Sequence, residues 1–122
     1  MKPSRQRVGQ MGEELAAKHL QERGYAILER NLRLPGIGEI DILAQDGETL
    51  VVVEVRTRRG GAPFSPDDSV GPRKQAKLAE LAQAVAYIRE WEGSLRVDLV
   101  AVELRRDNSI RRLDILKDII GQ

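Results

Sequence analysis

The run GEIDILAQDGETLVVVEVR, residues 38–56, decides the fold: it holds two β-patterned stretches around a turn signal, with acids embedded in them. Glu39 to Ala44 and Leu50 to Val55 flank Asp46-Gly47, a pair that favours a tight hairpin. Val51, Val53 and Val55 point one way and Leu50 and Val52 the other, so both faces of the second strand are expected to be covered.

The rest of the chain supplies the covering elements. From Arg7 to Arg23 the apolar residues Val8, Met11, Leu15, Ala16 and Leu20 recur at helical spacing, and Gly24 stops the helix. Tyr25 to Leu34 reads as a first strand, broken by Pro35-Gly36. After a Gly-, Pro- and Ser-rich stretch over 60–71, read as a mobile loop, Pro72 suits the first turn of a second helix. That helix is expected to run to about Trp91, with Leu78, Leu81, Ala82, Val85 and Ile88 on one stripe and Gly93 ending it. Val97 to Leu104 is a strand, and Ile110 to Ile115 a candidate for another. The order predicts an α/β fold with a mixed central sheet flanked by helices. The second helix then makes a crossover to a parallel neighbour.

Bare carboxylates fit poorly in such strands, since burying an unpaired charge costs several kcal/mol. With Asp46-Gly47 as a two-residue turn, Asp41 lies opposite Val52 and Glu39 opposite Glu54. Glu39, Asp41, Glu54 and Arg56 then leave one face, and Ile40, Ile42, Val53 and Val55 the other. Converging acids repel unless something positive stands between them. A hard divalent cation held by oxygen ligands is one answer, and an ion-pair cluster with Arg56 and other arginines is the other.

The 122 residues suggest a single domain, 1–122, with a flexible basic N-terminus over 1–6. The chain has no cysteine, hence no disulfide framework and no thiolate zinc site. It has no apolar run of membrane-spanning length and no signal core, so a cytoplasmic protein without a membrane partner is expected. A net charge of +1 argues against binding nucleic acid by bulk electrostatics. Between Arg56 and Lys77, however, six basic residues stand against Asp67 and Asp68, a patch able to meet phosphates.

The spacing Glu39-Ile-Asp41, twelve intervening residues, then Glu54-Val-Arg56 resembles the PD-(D/E)XK motif of restriction-endonuclease-like nucleases. Gly38 to Ala44 with Val53 to Arg59 resembles more specifically the uncharacterised bacterial family 0102 (YraN-like). Gly12-Glu13-Glu14-Leu-Ala16, Gly24-Tyr25, Arg30-Asn31, Lys74 and Arg96-Val-Asp98 match as well, so the likeness covers nearly the whole chain. That family is in turn similar to archaeal Holliday-junction resolvases, which act as dimers, so a homodimer is one candidate assembly.

The resemblance implies a restriction-endonuclease-like αβββαβ core and a Mg²⁺- or Mn²⁺-dependent endonuclease acting on DNA, including branched repair or recombination intermediates. It implies Asp41, Glu54 and Arg56 as catalytic residues. The metal ligands would be Asp41, Glu54, Glu13 and the main-chain carbonyl of Val55. Arg58, Arg59 and Lys74 would contact nucleic acid, with Glu39 and Asp98 as auxiliary candidates. Arg56 stands where the motif usually has lysine; it stays protonated and cannot act as a general base. Two other classes remain: a nucleic-acid-binding protein that keeps the fold without cleavage, and a protein-interaction module whose acids form salt bridges.

Three residues are assigned structural roles. His19 is expected to be partly buried and hydrogen-bonded, Tyr87 to lie in the core or an interface, and Asp98 to pair with Arg96 or Arg56.

Overall fold

The computed structural model describes residues 2–61 and 70–120. Most of the expected loop over 60–71 therefore lies outside the described residues. Helix α1 (Arg5–Glu22) is capped by Ser4, whose hydroxyl oxygen accepts the Arg7 N–H. The cap draws Arg5 and Gln6 into the helix, where the sequence suggested a flexible start.

Strands β1 (Ala26–Leu34), β2 (Gly38–Asp46) and β3 (Thr49–Arg59) follow, then α2 (Pro72–Ile88), β4 (Ser94–Leu104) and β5 (Ile110–Leu116). The five strands stand in chain order, antiparallel except for the parallel pair β3·β4 that α2 connects. This is the mixed α/β sheet that the sequence predicted, with β5 added at its edge and a helix on each face.

Each face has its own core. Ala16, Ala17 and Leu20 of α1 pack with Ile42, Ala44, Val51, Val53, Val100 and Val102. On the other face Leu78, Leu81, Ala82 and Val85 of α2 pack with Leu43, Leu50, Val52 and Val97. Strand β3 is thus covered on both sides, as its unbroken valine run requires.

α2 ends at Ile88, one turn short of the expected boundary, with Glu90 in a left-handed conformation after it. Ile88, at the last position of the helix, is exposed, and so is Tyr87, which lies off the buried stripe at 86% exposure and is not in the core.

The hairpin turn is also corrected. Asp46 pairs with Thr49, so Gly47 and Glu48 form the turn, with Gly47 at φ 60. A glycine adopts that conformation without steric cost, which draws the turn onto Gly47. The register moves by two residues from the expected one, so Leu43, not Asp41, lies opposite Val52.

Candidate metal and phosphate site

A shift of two residues preserves which face each side chain takes, and continuing the observed register places Asp41 opposite Glu54. The ladder stops first, at Ile42↔Val53. The next bonded pair would be Ile40 with Val55, but the Val55 N–H donates to the Asp41 carboxylate instead, at 2.9 Å. A side chain has replaced a strand there, and β2 and β3 part around it.

That parting breaks the side-chain alternation of β2. Ile40 packs in the α2-side core and Ile42 in the α1-side core, although two residues apart they should share a face. The expectation that Ile40 and Ile42 fill one face while the acids fill the other is therefore corrected. Asp41 sits at the switch, reaching across the gap to β3.

The Asp41 and Glu54 carboxyls are close enough for each to act on the other's protonation. Burial holds Asp41 above the usual carboxylate range; the Val55 N–H and Glu54 bonds and the charge of Lys74 oppose this without reversing it. Burial also raises Glu54, and the Asp41 charge raises it further against Lys74 and Arg56. Both acids are thus held toward their protonated forms, by burial first and by each other's charge second for Glu54.

The cations near them only partly offset that charge. Lys74 Nζ, from the first turn of α2, is 3.5 Å from Glu54 Oε2, and Arg56 Nε is 3.9 Å from the same oxygen. Lys74 is thus at the acid pair itself and nearer than Arg56, a closeness the chain order does not reveal. Arg58 and Arg59 continue along β3 away from the pair; Arg59 donates to Asn108 Oδ1 at 2.6 Å and to the Arg106 carbonyl. Glu39 is exposed, and its charge raises both Asp41 and Glu13.

Glu13 approaches from α1 because of its neighbour. Gly12 is buried against Thr57 so closely that a Cβ there would stand 1.8 Å from Thr57 Oγ1. The helix can lie on β3 at this point only without a side chain, and that contact brings Glu13 toward Asp41. Burial raises the Glu13 carboxyl, and Asp41 adds to the rise, while Arg30 and a hydrogen bond from Asn31 oppose it.

The sequence reading named Asn31 only as part of the family likeness and gave it no role. It sits within β1 at φ 52, between the pairs Arg30↔Ile42 and Leu32↔Ile40, beside the position of Asp41. A left-handed residue inside a strand is uncommon, and asparagine is among the few side chains enriched there. The available signal was an asparagine in an otherwise β-patterned run, next to an arginine. Arg30 and Asn31 both act on Glu13, so β1 contributes two groups to the site.

Asp98 lies elsewhere. Its carboxylate accepts from Tyr25 Oη (2.9 Å), Arg96 Nε (2.8 Å), Arg96 Nη2 (3.0 Å) and the Asp118 N–H (2.9 Å), and it is fully buried. Arg96 Nη2 also reaches Asp46 Oδ2 at 2.8 Å, and Lys117 stands 3.5 Å from that oxygen. The Tyr25 hydroxyl is pushed up to about 12 by burial and by its bond to Asp98. Every acid in this cluster has its partner, and the expected pairing of Asp98 with Arg96 is present. His19 is only half in keeping with its expectation: it is partly buried, Nδ1 is 3.9 Å from Glu22, and Nε2 is buried without a partner.

The donor chemistry at Asp41 and Glu54 fits a hard divalent cation. In a strand a residue's N–H and C=O leave the same edge, so the Val55 carbonyl points to the side where its N–H meets Asp41. Two carboxylates and a carbonyl suit Mg²⁺ or Mn²⁺, which commonly keep several waters beside one or two carboxylates. Among the described residues no three acids, histidines or cysteines stand close enough together to make a closed metal site. Glu13 is therefore adjacent to the pair and not packed into a ready triad with it.

Comparison with known proteins agrees with the family that residues 38–59 suggested. Residues 12–102 match the model of the uncharacterised protein family UPF0102. A UPF0102 protein of Dehalococcoides mccartyi is 43% identical over 98% of this chain and 97% of its own length. One from Moorella thermoacetica is 44% identical over 96% and 98%, and one from Acidothermus cellulolyticus 53% identical over 86% and 87%. The chain belongs to the UPF0102 family.

Proposed function

We propose that this UPF0102 protein is a metal-dependent endonuclease that hydrolyses phosphodiester bonds of DNA. The observation that carries the reading is the Asp41–Glu54 pair: two half-buried carboxyls on neighbouring strands, Asp41 held by the Val55 N–H and Glu54 beside Lys74, both raised first by burial. A structural ion pair would relieve that charge, and Lys74 and Arg56 relieve it incompletely.

Asp41, Glu54 and the Val55 carbonyl would hold the cation, with Glu13 completing the set as substrate enters. When bound, the ion supplies Lewis acidity, offsetting charge on a phosphate oxygen and making water easier to deprotonate. The protein's own groups do the positioning. Asp41 is fixed by the Val55 N–H, so its remaining lone pairs have a set direction. Lys74 and Arg56, both on Glu54, present cations where a scissile phosphate would lie, and charge building on that phosphate is stabilised by donors already in place. Lys74 takes the place that the usual motif lysine would hold beside the second acid, and it approaches from a helix.

Cleavage of branched, flapped and linear DNA with Mg²⁺ or Mn²⁺ tests the reading. Asp41→Asn and Glu54→Gln are each expected to lower the rate at least a hundredfold, and Lys74→Met at least tenfold. Equal activity in parent and carboxylate variants would mark the activity as a contaminant's.

One observation favours a second reading, a DNA-binding protein without cleavage: no closed three-acid metal site is formed among the described residues. That protein would bind the same DNA equally well in EDTA and after both carboxylate substitutions. No helix among the described residues is long and apolar enough to cross a membrane.

A further inference from the structure

Past the Gly12–Thr57 contact, the first turn of α1 and the end of β3 diverge around an open cleft of about 1020 Å³. Lys2 and Arg5 line it from the helix side, Arg58 and Arg59 from β3, and Arg106 from the β4–β5 connection. Among the described residues no carboxylate and no aromatic ring lines it. Five cations have collected at one place in a chain whose net charge is +1.

The walls are held in position. Arg59 is tied to Asn108 and to the Arg106 carbonyl, which fixes the connection carrying Arg106 against the end of β3. A guanidinium has five N–H donors, so the two bonds Arg59 makes here leave donors for a ligand. The nearby Asp107 carboxylate turns back to the Ser109 N–H and hydroxyl and is not among the cleft's lining residues.

We infer that this cleft is a second phosphate-binding site, which grips the DNA backbone several nucleotides from the bond held at Asp41 and Glu54. The inference rests on the phosphodiester reading of that pair and adds the path of the strand beyond it. Arg58 lies four residues after Glu54, about 13 Å at the usual rise per strand residue. One DNA strand advances about 3.4 Å per nucleotide along a duplex, so the cleft stands about four nucleotides away. Cations without aromatic platforms recognise phosphates rather than stacked bases, so the grip is sequence-independent and strongly salt-dependent.

The test is the affinity of the full chain for a labelled 30-base-pair duplex in EDTA, measured across a salt series. The Arg5→Glu/Arg106→Glu double variant is expected to bind at least tenfold more weakly at 100 mM salt. The slope of log affinity against log salt should become shallower by about 2, close to one unit per lost phosphate contact. Arg5→Gln/Arg106→Gln should move both readouts the same way by less. A control double reversal of exposed residues, Lys18→Glu in α1 and Arg23→Glu at its C-cap, alters the net charge equally and should change affinity less than threefold.

Equal losses in the two reversed variants would reduce the effect to bulk charge and overturn the inference, as would parental affinity in the Arg5/Arg106 variants or a parent that does not bind. The same preparations are assayed for cleavage with Mg²⁺. Binding that depends on Arg5 and Arg106 without cleavage in any preparation sinks the nuclease reading alone. Metal-dependent cleavage with parental affinity in the Arg5/Arg106 variants sinks the cleft alone.

Discussion

Asp98 and Asp41 are both aspartates in the strands of one sheet, yet the groups around them differ in kind. Asp98 accepts four hydrogen bonds, two of them from Arg96, which also serves Asp46. Asp41 has one backbone donor and a second acid as its neighbour, with the nearest lysine bonded to that acid. The first cluster is complete as it stands. The second leaves negative charge over, and a folded chain bears that cost where something is to be bound. Burial alone does not tell a structural acid from a working one; the completeness of its partners does.

The largest expected effect comes from breaking the complete cluster. Asp98→Ala leaves Tyr25 Oη, Arg96 and the Asp118 N–H without their acceptor, and should cost about 3–5 kcal/mol in chemical denaturation. A loss below about 1 kcal/mol would mean that the cluster's bonds are not the source of its stability.

Next in size is Gly12→Ala, whose methyl collides with Thr57; overpacking of this kind costs about 1–3 kcal/mol. It should also displace Glu13 and slow cleavage. Thr57→Ala opens the space, so the double variant should recover most of the stability, and strict additivity in the cycle would contradict the contact.

The open cluster should respond in the opposite direction. Asp41→Asn or Glu54→Gln removes one of two repelling acids, so each should raise the metal-free stability at neutral pH by about 1 kcal/mol, or a few degrees in Tm. A drop of similar size would show the pair to be structural.

The pH dependence carries opposite signs at the two places. The carboxyls of Asp41, Glu54 and Glu13 are raised in the folded state. Their contribution is therefore fully present below about pH 4 and is lost as pH rises through the raised values. Asp46 is lowered, first by its bond from Arg96, so its contribution is present above about pH 4 and is lost as pH falls through the lowered value. The stabilisation by Asp41→Asn should vanish as pH approaches 4, and the smaller cost of Asp46→Asn should also fade on acidification. Denaturation curves from pH 4 to 8 would show both, and a pH-independent gain for Asp41→Asn would contradict the raised carboxyls.

The open cluster could be read in the sequence because its acids interrupt apolar strands. The pairing of Asp41 with Glu54 survived a misplaced turn because an error of two residues restores strand parity, but the break that sends Ile40 and Ile42 to opposite faces left no pattern to read. Lys74 could not be placed on Glu54 from the sequence, since the approach depends on how α2 crosses the sheet after a segment with no pattern. Asn31 acts through a backbone conformation, which periodicity does not report. The Tyr25–Asp98 bond joins residues 73 positions apart, beyond any local signal, although Arg96-Val-Asp98 suggested half of that cluster. Ile88 was assigned to the buried stripe because periodicity does not report where the sheet ceases to cover the helix.

The account rests on Asp41 and Glu54 meeting over a cation, and calorimetric titration of the metal-free protein with Mn²⁺ tests that most directly. Saturable binding by the parent is predicted, with a rise in Tm that grows with free Mn²⁺, and neither response in Asp41→Asn or Glu54→Gln. Identical titrations of parent and variants would contradict it.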